Sequence, residues 1–358
     1  MKAKSFFVDS WEGSAQKITC REVQLQPLDK NGVLVKVKAC GLLNSQLEYA
    51  AVSHILFKTN NNKYFPVGYD VAGIVAGVGS DVTTVTKGDH VVGIIPVDYD
   101  QSSCSDYVVL QEFDIVLKPE RVSFVDAAGC ISDAVKSYIA LHYLGKMTSD
   151  STVLVLDGAS SFGSICIQLA RHWGAKVLST CSSEDEKRYL QSLDIDVSHI
   201  IDFTIKTDYI KSIVMLETGG MGVDIVVDSR KEILSKTNDE SNAITLKNSN
   251  SIISHHDIIS CLAVGGKWIT SKADLQLDPP HSRQLYLRCA SVCFLFEQAW
   301  MLSACQQGRY QHILMDTVEK INSKVIRPNI HHTVAFDGLA DFFNSQDDLR
   351  VGKVVVTV

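Results

Sequence analysis

A chain of 358 residues with 46% hydrophobic and 21% charged side chains is globular and too long for one ordinary core, so two domains are expected. Its formal net charge of −7 argues against bare phosphate backbone as the main partner, because nucleic-acid binders present a basic face and no basic run stands out. No apolar stretch approaches the ~18 residues that span a bilayer, and the start, MKAKSFFVDSWEG, lacks the apolar core of a signal peptide, so an intracellular, cytoplasmic protein is expected.

From the start to about residue 122 the pattern is short strands and turns. VLVKVKAC (33–40) alternates apolar and polar residues, and VAGIVAGVG, followed by KGDHVVGI, reads as strands punctuated by glycine. This predicts a compact, partly antiparallel barrel, with KTNNNKYFP (58–66) as an exposed loop. From 123 to 300 helices and strands alternate: helix 124–145, strand 152–157, helix 162–173, strand 175–180, helix 184–193, strand 199–202, helix 207–217 and strand 223–227. That order predicts a parallel, doubly wound sheet. The polar tract 229–256 is longer than a usual βα loop and reads as a mobile insertion. Helix 257–262, strand 266–270 and strand 290–296 complete the sheet, the last at an edge where a second copy could pair. A helical segment at 299–323 follows, and GKVVVTV (352–358) is too regular for a tail. Its return to the first domain would make that domain discontinuous, with 1–122 and 301–358 flanking an inserted 123–300.

The cysteines follow the same core logic. Cys40, Cys130, Cys166, Cys261, Cys289 and Cys293 sit in apolar segments without CxxC spacing and read as reduced core thiols. His255 and His256, like His331 and His332, lack partners at metal spacing and read as loop residues.

The most informative stretch is TVLVLDGASSFGSICIQLA (152–170). Val153 to Leu156 is apolar on both faces, as in a central parallel strand, and Phe162, Ile165, Cys166, Leu169 and Ala170 form a helical stripe. Between them stands a turn that aims helix N-terminal amides at an anion. Against the dinucleotide fingerprint GxGxxG the triplet here reads Gly158, Ser160, Gly163. Serine at the middle position is expected to push a diphosphate outward, weakening binding by about 1 to 3 kcal/mol, although its hydroxyl is also able to bond a phosphate. The alternative is a βα turn that binds nothing.

Several segments together resemble the zinc-free quinone oxidoreductase branch of the medium-chain dehydrogenase/reductase family, among zeta-crystallin relatives. They are FPVGYDVAGIVAGVGSDVTTVTKGDHV, AAGCISDAVKSYIALHYL, VLVLDGASSFGSICIQLARHWGAKVLST, GMGVDIVVD, LQLDPP and VGKVVVTV. The resemblance implies a Rossmann domain inserted in a GroES-like, mainly β domain. It also implies no metal: the positions matching the zinc ligands of family members hold Leu43 and Tyr69, leaving only Asp70, and Cys104 is the lone cysteine where a four-cysteine lobe would be.

Residues 176–183, KVLSTCSS, contain no acid to grip a ribose, so Ser182, Ser183 and the nearby Lys187 suit a 2′-phosphate and favour NADPH over NADH; the other reading is a solvated loop before a helix. The family's GLNPxD segment becomes GLLNSQ, which shifts Asn44 by one position. Asn44 and Tyr69 are the catalytic candidates near an acceptor; Tyr49 and Tyr69 either line an acceptor pocket or are core or wall packing residues. Its TAYxAL motif becomes KSYIAL, putting Lys136 where a threonine lies near nicotinamide, either obstructing that site or folding back to Asp133. Two functions follow: an NADPH-dependent quinone or enone reductase, or a scaffold that has kept the fold and lost turnover. The resemblance further implies a subunit of the FERRY assembly, which links messenger RNA to early endosomes, with a homodimer formed through 290–296.

Overall fold

The computed structural model describes residues 1–9, 18–42, 64–193, 197–203, 210–228, 234–235, 245–246, 253–344 and 351–358. The chain divides into two units, 1–135 together with 297–358, and 136–296. The first unit begins with β1 (Lys2–Asp9), β2 (Ile18–Gln24), β3 (Gly32–Gly41), β4 (Tyr64–Pro66), β5 (Asp70–Val78), β6 (His90–Ile94), β7 (Tyr107–Gln111) and β8 (Ile115–Leu117). β3 is its backbone, paired antiparallel with both β5 and β7. The alternation seen in the sequence places Val33, Val35 and Val37 on the buried face. Helix α1 (Phe124–Tyr138) follows, continued by a π-helical turn at 139–144.

The second unit alternates as expected: β9 (Thr152–Leu156), α2 (Ser161–His172), β10 (Lys176–Cys181), α3 (Glu184–Ser192), β11 (His199–Asp202), α4 (Ile210–Glu217) and β12 (Val223–Asp228). A two-residue ladder, β13 (Leu234–Ser235) with β14 (Thr245–Leu246), precedes α5 (His255–Cys261), β15 (Leu262–Thr270), α6 (Pro279–Leu287) and β16 (Ser291–Phe294). The six long-range strands form one parallel sheet in the order β11-β10-β9-β12-β15-β16. The chain winds outward from β9 to β11 and resumes on the other side at β12, so the switch point where such sheets bind ligands lies between β9 and β12. Leu154, Leu156, Leu178, Val226 and Trp268 are fully buried in its core.

The chain then adds α7 (Gln298–Met301), α8 (Gln307–Asn322), β17 (Ile330–Ala335), α9 (Leu339–Asn344) and β18 (Lys353–Thr357) to the first unit. β18 pairs antiparallel with β3 and parallel with β17, so the final strand is part of the sheet that opens the chain.

Local chemistry explains where the elements differ from expectation. Ser254 and Asp257 form a reciprocal cap, which starts α5 early and makes His255 and His256 its first residues rather than loop residues. His331 and His332 lie in β17 with their rings stacked 5.4 Å apart. Helix α6 was not anticipated, although Pro279 and Pro280 at its first positions are a start signal. The 299–323 segment is two helices separated by a 3₁₀ turn at 304–306. Cys289 is exposed in the turn after α6, and Cys293 is only half-buried because the edge strand β16 has one side open; Cys40, Cys130, Cys166 and Cys261 are buried. Asn44, Leu43 and Tyr49, most of the 58–66 tip and most of the 229–256 tract lie outside the described residues.

Candidate functional site

The turn after β9 is built by two glycines and one hydroxyl. A Cβ at Gly158 would overlap the Ser179 hydroxyl of β10, and one at Gly163 would overlap the Asp157 carbonyl, so these positions perform the turn and the close helix–strand approach. Asp157 takes a left-handed conformation at φ 61°, and the turn is tied to β10 by the Asp157 amide donating to Thr180 Oγ1 at 2.9 Å. Ser160 is the N-cap of α2.

The expectation that Ser160 pushes a ligand outward needs correction. Its side chain turns inward and is 2% exposed. The hydroxyl donates to the Asp157 carbonyl at 2.8 Å and accepts from the Gly163 amide at 3.0 Å. A helix N-terminus binds phosphate through its unsatisfied amides, and here one of them already has a partner. Lys136 lies close by, with its ammonium 5.0 Å over the Phe162 ring in the first turn of α2. Asp133, one turn earlier in the sequence, accepts from Lys353 at 3.1 Å.

The end of β10 differs more from the reading of KVLSTCSS as free of acid. Glu186, 2% exposed, folds back so that its carboxylate accepts from the Ser182 amide at 2.6 Å and from the Ser182 hydroxyl at 3.0 Å. Lys187 is paired with Asp202 at 2.8 Å, and that bond holds its ammonium pKa above the ordinary value. Ser182 and Lys187 are therefore committed to carboxylates. Glu186 was missed although Ser183-x-x-Glu186 has capping-box spacing, and Ser183 does cap α3 by accepting from the Glu186 amide at 3.2 Å. Asp157, Glu186, Asp202 and Asp228 all stand near the carboxyl ends of β9 to β12, with Asp202 paired to Lys187.

In the first unit Tyr69 is 2% exposed, a core residue, with its carbonyl accepting from the Ile95 amide at 2.9 Å. Its neighbour Asp70 lies in a buried ion cluster. Asp70 Oδ2 accepts from Lys353 Nζ and from Ser132 Oγ (2.9 Å), while Lys353 Nζ also donates to Ser132 Oγ and Asp133 Oδ2, both at 3.1 Å. Asp70 Oδ1 is buried without a hydrogen-bond partner. Burial pushes the Asp70 carboxyl up and Lys353 pulls it back; burial likewise opposes the charge on Lys353, but the two carboxylates outweigh it and keep Lys353 cationic. Asp70 is thereby neutralised by a lysine, and among the described residues no three His, Cys, Asp or Glu side chains gather as a metal site. No described helix is long and apolar enough to cross a membrane.

Comparisons with known proteins agree with this architecture. The alcohol dehydrogenase GroES-like domain matches residues 29–136. The chain is 41% identical over 300 residues to quinone oxidoreductase-like protein 1 of Mus musculus, covering 84% of this chain and 83% of that protein. Among solved structures, the CurK enoyl reductase covers 99% of both chains with a TM-score of 0.78 at 21% identity. A mycobacterial protein in complex with NADPH covers 99% of this chain and 100% of its own with a TM-score of 0.75 at 18% identity.

Proposed function

The chain belongs to the quinone oxidoreductase branch of the medium-chain dehydrogenase/reductase family, and from that premise we propose that it acts chiefly as a scaffold subunit whose hydride transfer is weak or lost. The carrying observation is the Ser160 hydroxyl, which takes the Gly163 amide that a diphosphate would otherwise use. Engagement of Ser182 by Glu186 and of Lys187 by Asp202 supports the same reading at the ribose end. NADPH is the nucleotide that the family likeness suggests. The backbone amides after Ser160 would receive its diphosphate, and its chemistry would be hydride donation from nicotinamide.

In this reading the scaffold serves as a subunit of the FERRY early-endosome assembly and pairs with a second copy of itself. The net charge of −7 leaves RNA contact to other subunits. Edge strand β16 supports self-pairing: Phe294 is 57% exposed, and the nearby Val264, Tyr286 and Leu287 are exposed as well. The alternative, an NADPH-dependent quinone or enone reductase, is favoured by the retained close packing at Gly158 and Gly163. Titration of the purified protein with NADPH, followed by cofactor fluorescence and by quinone-dependent oxidation, separates the readings. The scaffold predicts little or no turnover; micromolar binding with efficient turnover would sink it.

A further inference from the structure

Cys40 lies at the end of β3 and Cys104 on the loop before β7, and their sulfurs stand 3.0 Å apart with both residues fully buried. Separate parts of the sheet hold the two backbones. Cys40 is opposite Val71 of β5 and Val356 of β18. The Cys104 amide donates to the Val67 carbonyl at 3.3 Å and to Ser102 Oγ at 3.2 Å, while its carbonyl accepts from Phe6 at 2.9 Å. The sulfurs are already inside ordinary contact distance, and a disulfide at about 2.05 Å needs only about 1 Å of further approach.

We infer that Cys40 and Cys104 are an oxidisable dithiol, joined by a peroxide into an intrachain disulfide that ties the end of β3 to the 102–105 loop. One sulfur attacks the peroxide, the O–O bond breaks, water leaves and a sulfenic acid remains. The second sulfur then attacks that sulfur, forming S–S and releasing a second water, so the thiols lose two electrons and the peroxide gains them. Cys40 sits one residue before Gly41–Leu42, and Cys104 is hydrogen-bonded to Val67, so the bond fastens together the two described ends that flank residues 43–63. Burial pushes the Cys104 thiol well up, with the Cys40 sulfur adding to the shift, so the reaction is slower than at the exposed Cys20, Cys289 and Cys305.

The test uses the full chain carrying Cys20→Ser, Cys289→Ser and Cys305→Ser, treated with hydrogen peroxide while folded, then denatured, alkylated and analysed by intact mass and non-reducing peptide mapping. The expected result is a mass loss of about 2 Da, two fewer alkylatable thiols, a single Cys40–Cys104 linked peptide, and full reversal by dithiothreitol. A higher Tm for the oxidised form is the accompanying expectation. The same map made on the unsubstituted chain must contain the linked peptide, which guards against an effect of the substitutions on folding. Oxygen addition at Cys40 or Cys104 in place of linkage, or complete alkylation of both after peroxide exposure extended well beyond that needed to consume the exposed cysteines of the unsubstituted chain, would overturn the inference.

Discussion

Replacing Lys353 by methionine keeps most of the unbranched side chain and removes the cation from a cluster that contains Asp70, Ser132 and Asp133. Asp70 is buried with one oxygen already unpartnered, so its carboxylate cannot turn to water. An unpaired buried charge of this kind costs about 3 to 5 kcal/mol. Protonation offers an escape whose cost at pH 7 is about 4 kcal/mol, at 1.36 kcal/mol for each of the roughly three pH units above an ordinary aspartate pKa. The cheaper route sets the ceiling, so Lys353→Met should lose about 4 kcal/mol at pH 7. In the variant the folded-state pKa of Asp70 lies above its unfolded value, which means that folding takes up a proton and stability rises as pH falls toward 4. The deficit relative to the parent chain should shrink to about 1.5 kcal/mol at pH 5. Urea unfolding at both pH values measures it, and the double variant Asp70→Asn/Lys353→Met, which has no stranded charge at Asp70, should recover at least half of the loss. Equal deficits at pH 5 and pH 7, or a loss below about 1 kcal/mol, would show that the cluster is not the low-dielectric ion pair described here.

Asp114 accepts from Tyr99 Oη at 2.9 Å and from the Gln111 amide at 3.0 Å, and burial pushes its pKa up to about 6. Because the folded value is raised, stability should fall by up to about 3 kcal/mol as pH climbs from 4 through 6, and Asp114→Asn should flatten that slope in pH-dependent unfolding. Ser160→Ala should cost about 1 kcal/mol through loss of the α2 cap, read as a lower urea midpoint; an unchanged midpoint would count against the cap. Ser160→Gly with Lys136→Thr should tighten NADPH tenfold or more by fluorescence titration, and an unchanged Kd would refute the account of the occupied amide. Phe294→Glu should leave only monomer in sedimentation, while a dimer that survives it would place self-association away from β16.

Residue pattern alone was sufficient for the alternation of β9 to β12, the parallel sheet and the two structural glycines, because buried central strands and helix stripes are local periodicities that one sheet topology satisfies. The mainly β character of the first unit was legible for the same reason, in the alternation of β3 and the regular final strand, whereas its GroES-like identity was implied by the family resemblance. Tertiary folding decided what the polar side chains do. Glu186 lies outside KVLSTCSS yet turns its carboxylate onto Ser182, and Lys187 meets Asp202 from the next strand. Lys353 reaches Asp70 from 283 positions away, and Cys40 meets Cys104 across 64. Burial and partner choice depend on which strands become neighbours, so neither the neutralised Asp70 nor the inward Ser160 hydroxyl is written in local spacing.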